Sequence, residues 1–339
     1  MTPVRTLLPV LLAVATAVAP PALAQDRAVT RHVVLISLDG MRPDAIDHFG
    51  ASTLQRLMRE GAHAARARTI PLSHTLPSHA SMLTGVGSDR HGITWNDERL
   101  EAEGRVRVPT VFDLADDAGL ETAAFAGKAK LRHLFRPDAP RHVVAPTRWR
   151  DYWMATEVVD RLATYLTHRR PALLFVHVSE PDYAGHVGGW MSWLYGLAVH
   201  RSDAAVAAVL RLAEDAFGAD NFTVIVTADH GGSGHDHGTA APEDMRIPWI
   251  AWGKGVRTGT NRDEVHITDT AATVLWLLGV AVPGDWAGRP VRQAFRSAPG
   301  RGLQADQVQD RRVHQLRAAG PDPGQDPHPL ERRQLPYRR

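Results

Sequence analysis

His32-Val33-Val34-Leu35-Ile36-Ser37-Leu38 runs with hardly a polar interruption into Asp39-Gly40. An unbroken apolar run of this length, stopped by an acid and a glycine, predicts a strand covered on both faces. Four other runs resemble it. Residues 122–126 lead to Gly127, 172–178 to Ser179-Glu180, and 222–226 to Thr227-Ala228-Asp229-His230, while 247–252 follows a polar loop. Between them, 51–60, 111–118, 151–167, 194–217 and 268–278 carry apolar residues at helical spacing. Strands alternating with helices predict an α/β fold with a doubly wound, mostly parallel central sheet and helices on both faces. In such folds ligands gather beyond the carboxyl ends of the strands. There this sequence places its Asp and His residues. It shows no internal repeat and no second domain.

The two ends read differently. Arg5, an apolar run over 7–18 and Ala22-Leu23-Ala24 before Gln25 have the form of a secretory signal peptide over 1–24. Pro20 and Pro21 break the run, which is shorter than the roughly 20 residues that span a membrane. The expectation is cleavage after Ala24 and a secreted or periplasmic protein with no stable membrane span. Residues 298–339 are rich in Arg, Gln, Pro and Gly and lack apolar periodicity, which predicts a disordered basic tail. Of the formal net charge of +2, Arg5 supplies +1 and the tail +3, which leaves 25–297 near −2. The domain 25–297 therefore offers no electrostatic case for nucleic acid. The chain has no Cys and 18 His. Thiolate metal sites and Cys nucleophiles are excluded, and oxygen and imidazole ligands are favoured.

Five segments carry the candidate chemistry: Asp39-Gly40, Thr75-Leu76-Pro77-Ser78-His79, Asp182-Tyr183-Ala184-Gly185-His186, Asp229-His230-Gly231-Gly232 and His237-Gly238. Each alone is equally a cap, a surface turn or a polar loop. Their order, mostly at strand ends, is what points to a site. Thr75 two residues before Pro77 suits the first turn of a helix, whose N-terminus favours an anion. Paired oxygen-and-imidazole sites suit zinc or another divalent ion. Two such ions about 4 Å apart can clamp both apical oxygens of an in-line phosphoryl displacement.

The order of these segments resembles the alkaline-phosphatase superfamily, in particular its type I phosphodiesterase/nucleotide pyrophosphatase branch, over about 25–290. The resemblance implies an alkaline-phosphatase-like fold and a two-metal phosphoric-ester hydrolase with two zinc ions. One ion would be held by Asp39, Thr75, Asp229 and His230, with Thr75 the nucleophile that becomes phosphorylated. The other would be held by Asp182, His186 and His237. His235, two residues before His237, is the alternative last ligand. His74, His79 and His91 read as supporting or structural. Asn96 lies 21 residues after Thr75, the spacing at which the family places an Asn that donates to a phosphoryl oxygen. The gap from His230 to His237 is short, whereas diesterase relatives often carry an insertion there, so part of a nucleotide pocket would be missing.

Lysine adds a separate signal. The chain has three Lys, and two of them are Lys128 and Lys130 in Gly127-Lys128-Ala129-Lys130. A compact ammonium pair at the active end of a strand resembles a basic pair of Thr-type alkaline phosphatases and phosphonoacetate hydrolases that contacts additional substrate charge. The expected substrate is a small phosphate ester. Phosphodiesterase or pyrophosphatase activity leads. A phosphomonoesterase and a phosphonoacetate-hydrolase-like C–P hydrolase are the alternatives on the same site. A sulfatase would need Cys or Ser where Thr75 stands. A catalytically inactive metal-binding protein would lack a ligand or the nucleophile, and none is missing.

Overall fold

β1 (His32–Leu38), β2 (Ala62–Arg68), β3 (Thr122–Ala126), β4 (His142–Val144), β5 (Leu173–Val178), β6 (Phe222–Thr227), β7 (Trp249–Gly253) and β8 (Gly259–His266) form one sheet. Their order across it is β4-β3-β5-β1-β6-β7-β2-β8. The structure is a computed structural model that describes residues 28–136, 142–148 and 152–296. The expected signal peptide 1–24 and tail 298–339 lie outside the described residues.

The apolar run that opens at His32 is the central strand. β1 pairs in parallel with β5 on one side and β6 on the other, with Leu35 opposite both Phe175 and Ile225. β5 and β6 are buried throughout, and β1 from Val33 onward. Burying each large aliphatic side chain here contributes about 1.5–3 kcal/mol. β3 and β4 continue the parallel set beyond β5. The expected strand at 247–252 forms as β7 but runs antiparallel to β6 and β2. β2 and β8 pair in parallel at the far edge. Neither was expected, because Ala62–Arg68 and Gly259–His266 are mostly polar or small and partly exposed rather than apolar runs.

Helices cover both faces. Ser52–Glu60, Ala155–Leu166 and Trp193–Phe217 pack together on one side, and Thr75–Thr84, Val111–Asp117 and Asp269–Leu277 on the other. Local chemistry sets their starts. Thr110 and Asp113 form a reciprocal capping box before Val111–Asp117. The Ser192 hydroxyl accepts from the Tyr195 N–H to open the helix Trp193–Phe217. The helix expected over 151–167 begins at Ala155, whose N–H donates to the Glu180 carboxylate. In Thr75–Thr84 all ten residues are buried, so it shows no amphipathic period despite lying beneath the site.

Candidate active site

The carboxyl ends of β1, β3, β5 and β6 converge at the centre of the sheet. Asp39 follows β1, and its N–H donates to Val178 O at 2.9 Å. The Asp39 carbonyl then accepts from Asp182 N at 2.9 Å. This seats the helix Glu180–Gly188 directly against the end of β1. Gly40 makes that approach feasible, since φ is +70° and a Cβ there would lie 2.9 Å from Asp182 Cα. Asp182 and His186, four residues apart, lie on one face of this helix, Asp182 buried and His186 partly open to solvent. Asp229 and His230 follow β6, and Gly40 N donates to Asp229 Oδ1 at 3.1 Å.

Two groups of side chains present donor atoms close enough to hold a cation: Asp182, His186 and His237, and Asp39, Asp182 and His230. The first brings together the three residues expected for the second ion, with His237 rather than His235 among them. Both Asp182 Oδ1–Nε2 distances, to His186 and to His237, are 3.4 Å. His235 instead turns Nδ1 to the His186 carbonyl, at 3.2 Å. The other group shares Asp182, which stands 3.9 Å from His230 Nε2, a sharing that the sequence spacing did not suggest. Asp229 lies beside it, with Oδ2 3.2 Å from His230 Nε2.

Two features show that these residues fit metal ions. Asp39 Oδ1, Asp182 Oδ1 and Asp229 Oδ2 are buried oxygens with no hydrogen-bond donor. Such atoms cost free energy unless a cation meets them. The imidazoles are also oriented for ligation. Nδ1 donates to a backbone carbonyl in His186 (His235 O, 2.9 Å), His230 (Gly231 O, 2.7 Å) and His237 (Ser73 O, 2.8 Å). A carbonyl only accepts, so the proton sits on Nδ1 and each Nε2 offers its lone pair. Burial and the nearby His230 lower the His237 pKa to about 4, which keeps the ring neutral.

Thr75 opens the helix Thr75–Thr84, with His74 as its N-cap. Its Oγ1 lies 3.4 Å from His230 Nε2 and 3.4 Å from Lys128 Nζ. Asn96 Oδ1 accepts from Leu76 N at 3.0 Å, which fixes the amide beside Thr75 with Nδ2 left to donate elsewhere. Lys128 is buried, with Nζ 2.7 Å from Asp39 Oδ2 and 2.5 Å from Asp182 Oδ2. Burial opposes its charge, but the Asp182 and Asp39 carboxylates outweigh that and raise its pKa. Asp182 responds in kind. Burial would raise its pKa, and the Lys128 ammonium holds it below the usual range. Lys130 is half-buried, and burial together with the Lys128 charge pushes its amine down to about 8.

Supporting residues surround this core. His79 binds Thr75 O at 2.8 Å and Ser37 Oγ at 2.9 Å, and lies 3.3 Å from Asp229 Oδ2. His91 is remote, paired with Ser81 Oγ at 3.0 Å. The His74 ring packs on Gly238, where a Cβ would fall 2.0 Å from His74 Cε1. His177 was not anticipated. It accepts from Gly127 N on Nδ1 at 3.1 Å, so Nε2 carries the proton and donates to Asp39 Oδ2 at 2.8 Å. The signal was present as a lone His in the apolar run Leu173-Leu174-Phe175-Val176-His177-Val178.

The sequence model of "Type I phosphodiesterase / nucleotide pyrophosphatase" matches residues 33–258, a span that includes every one of these side chains. The chain belongs to that family. Its members are metal-dependent phosphohydrolases. Among curated relatives, bis(5′-adenosyl)-triphosphatase of Mus musculus is 22% identical over 222 residues, covering 59% of this chain and 46% of its own. Its Xenopus laevis counterpart is 26% identical over 218 residues, covering 60% and 47%. The chain thus spans about half the length of these relatives. Among solved structures, murine ectonucleotide pyrophosphatase/phosphodiesterase 5 superposes with a TM-score of 0.67 at 16% identity, covering 78% of this chain and 100% of that one. A 2-O GAG sulfatase superposes with a TM-score of 0.63 at 15% identity, covering 79% and 74%. At these identities the likeness establishes the alkaline-phosphatase-like fold.

Proposed function

We propose that the protein is an exported phosphoric-ester hydrolase of the phosphodiesterase/nucleotide pyrophosphatase type, with Thr75 as nucleophile. The observation that carries this is the position of Thr75 Oγ1. It stands at a helix N-terminus within 3.4 Å of both His230 Nε2 and Lys128 Nζ, beside three buried carboxylate oxygens that lack donors. Asp39, Asp229, His230 and Thr75 would hold one divalent ion, and Asp182, His186 and His237 the other. Zinc suits the oxygen-and-imidazole set. When bound, such ions lower the pKa of a hydroxyl and neutralise charge on the phosphoryl oxygens.

The chain's own residues do the rest. Thr75 Oγ1 attacks phosphorus, forming an O–P bond as the bond to the leaving oxygen breaks. The proton lost by Thr75 is made up on the leaving alcohol by solvent. Water then cleaves the Thr75 phosphoester and returns the hydroxyl. Leu76 N is engaged by Asn96 Oδ1, Pro77 carries no N–H and Ser78 N donates to His74 O, so the Thr75 N–H and the Asn96 amide are the donors to the non-bridging oxygens. His79, bound to Thr75 O, and His177, bound to Asp39, keep the nucleophile and a ligand in register.

An inactive variant of murine ectonucleotide pyrophosphatase/phosphodiesterase 5 is known in complex with AMP, which supports a small phosphate ester as ligand. Lys128 beside Thr75, with Lys130 near enough to feel its charge, favours a second reading, a monoesterase, because a monoester dianion carries one more charge than a diester. Comparing kcat/KM for p-nitrophenyl phosphate, bis-p-nitrophenyl phosphate and thymidine monophosphate p-nitrophenyl ester decides between them. Diester preference supports the leading reading, and monoester preference replaces it. No turnover of any of the three by metal-loaded protein would discard both.

A further inference from the structure

Trp190 follows the helix Glu180–Gly188 and is buried against the ends of the sheet. Its indole N–H donates to the Gly40 carbonyl at 2.9 Å. Its backbone N–H donates to Gly234 O at 2.7 Å. The ring stands edge-on to both imidazoles of one donor group. Its centroid lies 5.2 Å from that of His186, at an interplanar angle of 83°, and 5.8 Å from that of His237, at 62°.

Gly185 and Gly232 make room for the ring. A Cβ on Gly185 would fall 2.5 Å from Trp190 Cδ2, and one on Gly232 2.2 Å from Trp190 Cε2. Neither glycine has a positive φ, so space for the indole, not backbone conformation, excludes a side chain there. Gly185 directly precedes His186, and Gly232 lies just after His230. Gly40 follows Asp39, and its N–H holds Asp229 Oδ1 at 3.1 Å. The indole thus touches segments that carry both donor groups. His186 depends on it most. That side chain is 42% exposed, and its Nδ1 is fixed by a hydrogen bond to His235 O at 2.9 Å. A ring held at one atom can still pivot about that bond. The indole edge blocks one side of the pivot.

We propose that Trp190 is a positioning residue for the ion of Asp182, His186 and His237. Its indole sets the tilt of the two imidazoles, and its N–H ties them to the end of β1. The proposal rests on the two-metal reading and adds to it a side chain that binds no metal. The Tyr195 hydroxyl also donates to Gly40 O, at 2.8 Å, so the Asp39 end of the site keeps a tether when the indole N–H is lost. The effect of Trp190 therefore falls on one ion rather than on both.

The test strips the full chain of metal and titrates zinc back against a chromophoric chelator, which separates two binding steps. His186→Ala marks the step that belongs to the Asp182 ion. Trp190→Phe keeps an apolar ring and loses the N–H. Gly185→Ala keeps the indole but displaces it, and alanine suits a helix interior better than glycine. Both variants should weaken the marked step by about 10–100-fold, the scale for residues that orient metal ligands, and leave the other step unchanged. A marked step unchanged in either variant would show that the placement of the ring is immaterial and would overturn the proposal. So would an equal loss in both steps, which is what a merely structural core residue gives. Fewer than two zinc equivalents in the wild type, or a His186→Ala protein with neither step weakened, would instead overturn the two-metal reading, and the proposal with it.

Discussion

The Lys128 ammonium lies 2.5 Å from Oδ2 of Asp182, inside a set of side chains whose donor atoms are close enough to hold a cation. With Asp39 Oδ2 at 2.7 Å, the buried lysine compensates carboxylates that would otherwise repel one another. Removing one partner of a buried ion pair costs about 3–5 kcal/mol because the remaining charge is stranded. Lys128→Met should therefore lower the melting temperature of metal-free protein strongly. Added zinc should recover more stability in the variant than in the wild type, since the ions then meet the carboxylates without a competing ammonium. Thermal unfolding in chelator and in excess zinc measures both. An equal gain from zinc in the two proteins would show that Lys128 does not stand in for cationic charge.

Asn96 is placed by the backbone it serves. Its Oδ1 accepts from Leu76 N at 3.0 Å, one residue after Thr75. With that oxygen engaged, Nδ2 is the atom available to a phosphoryl oxygen. Asn96→Ala should lower kcat by roughly 10²–10³-fold, the scale for one lost transition-state donor, with KM changed much less. A loss confined to KM would make the contact a ground-state one.

His91 is a buried imidazole away from the ligands. Ile93 N donates to its Nδ1 at 3.0 Å, and its Nε2–H meets Ser81 Oγ at 3.0 Å, so both nitrogens are matched to the neutral ring. Burial pushes its pKa down to about 4. The folded-state value is depressed, so the unfolded chain takes up a proton first as pH falls. The stability tied to the neutral ring is complete above about pH 6.5 and is lost between there and about pH 4, by on the order of 3 kcal/mol. His91→Gln should unfold with a shallower dependence on pH than the wild type over that window, which denaturation midpoints at several pH values would show. Parallel profiles would contradict it.

The centre of the fold was legible because the site sits on its most apolar strands. A run such as 32–38 can be stable only between two others, and the acid that ends it must then face a shared edge. The periphery was not legible for the opposite reason. Ala62–Arg68 and Gly259–His266 form strands through backbone pairing at the sheet edge, with little apolar patterning to announce them. The helix Thr75–Thr84 is buried all round, so its residues carry no period, and only Pro77 marked its first turn. Residue type and order singled out Asp39, Thr75, Asp182, His186, Asp229, His230 and His237 as candidates, and the fold brings them near one another. His177 stayed hidden because its partner Asp39 lies 138 positions away. The sharing of Asp182 between the two donor groups, and the burial of Lys128 among them, depend on the packing of the helix Glu180–Gly188 against β1. No spacing in the chain encodes that packing.

Thr75→Ala tests the central claim most directly, through turnover and metal content measured on the same preparation. Removal of the hydroxyl takes away the proposed nucleophile but leaves Asp39, Asp229 and His230 in place. The account predicts a loss of at least about 10³-fold in kcat/KM, close to two metal equivalents still bound, and partial activity in Thr75→Ser. A Thr75→Ala protein that binds both metals and retains most of its turnover would contradict it, because the phosphoryl group would then pass directly to water.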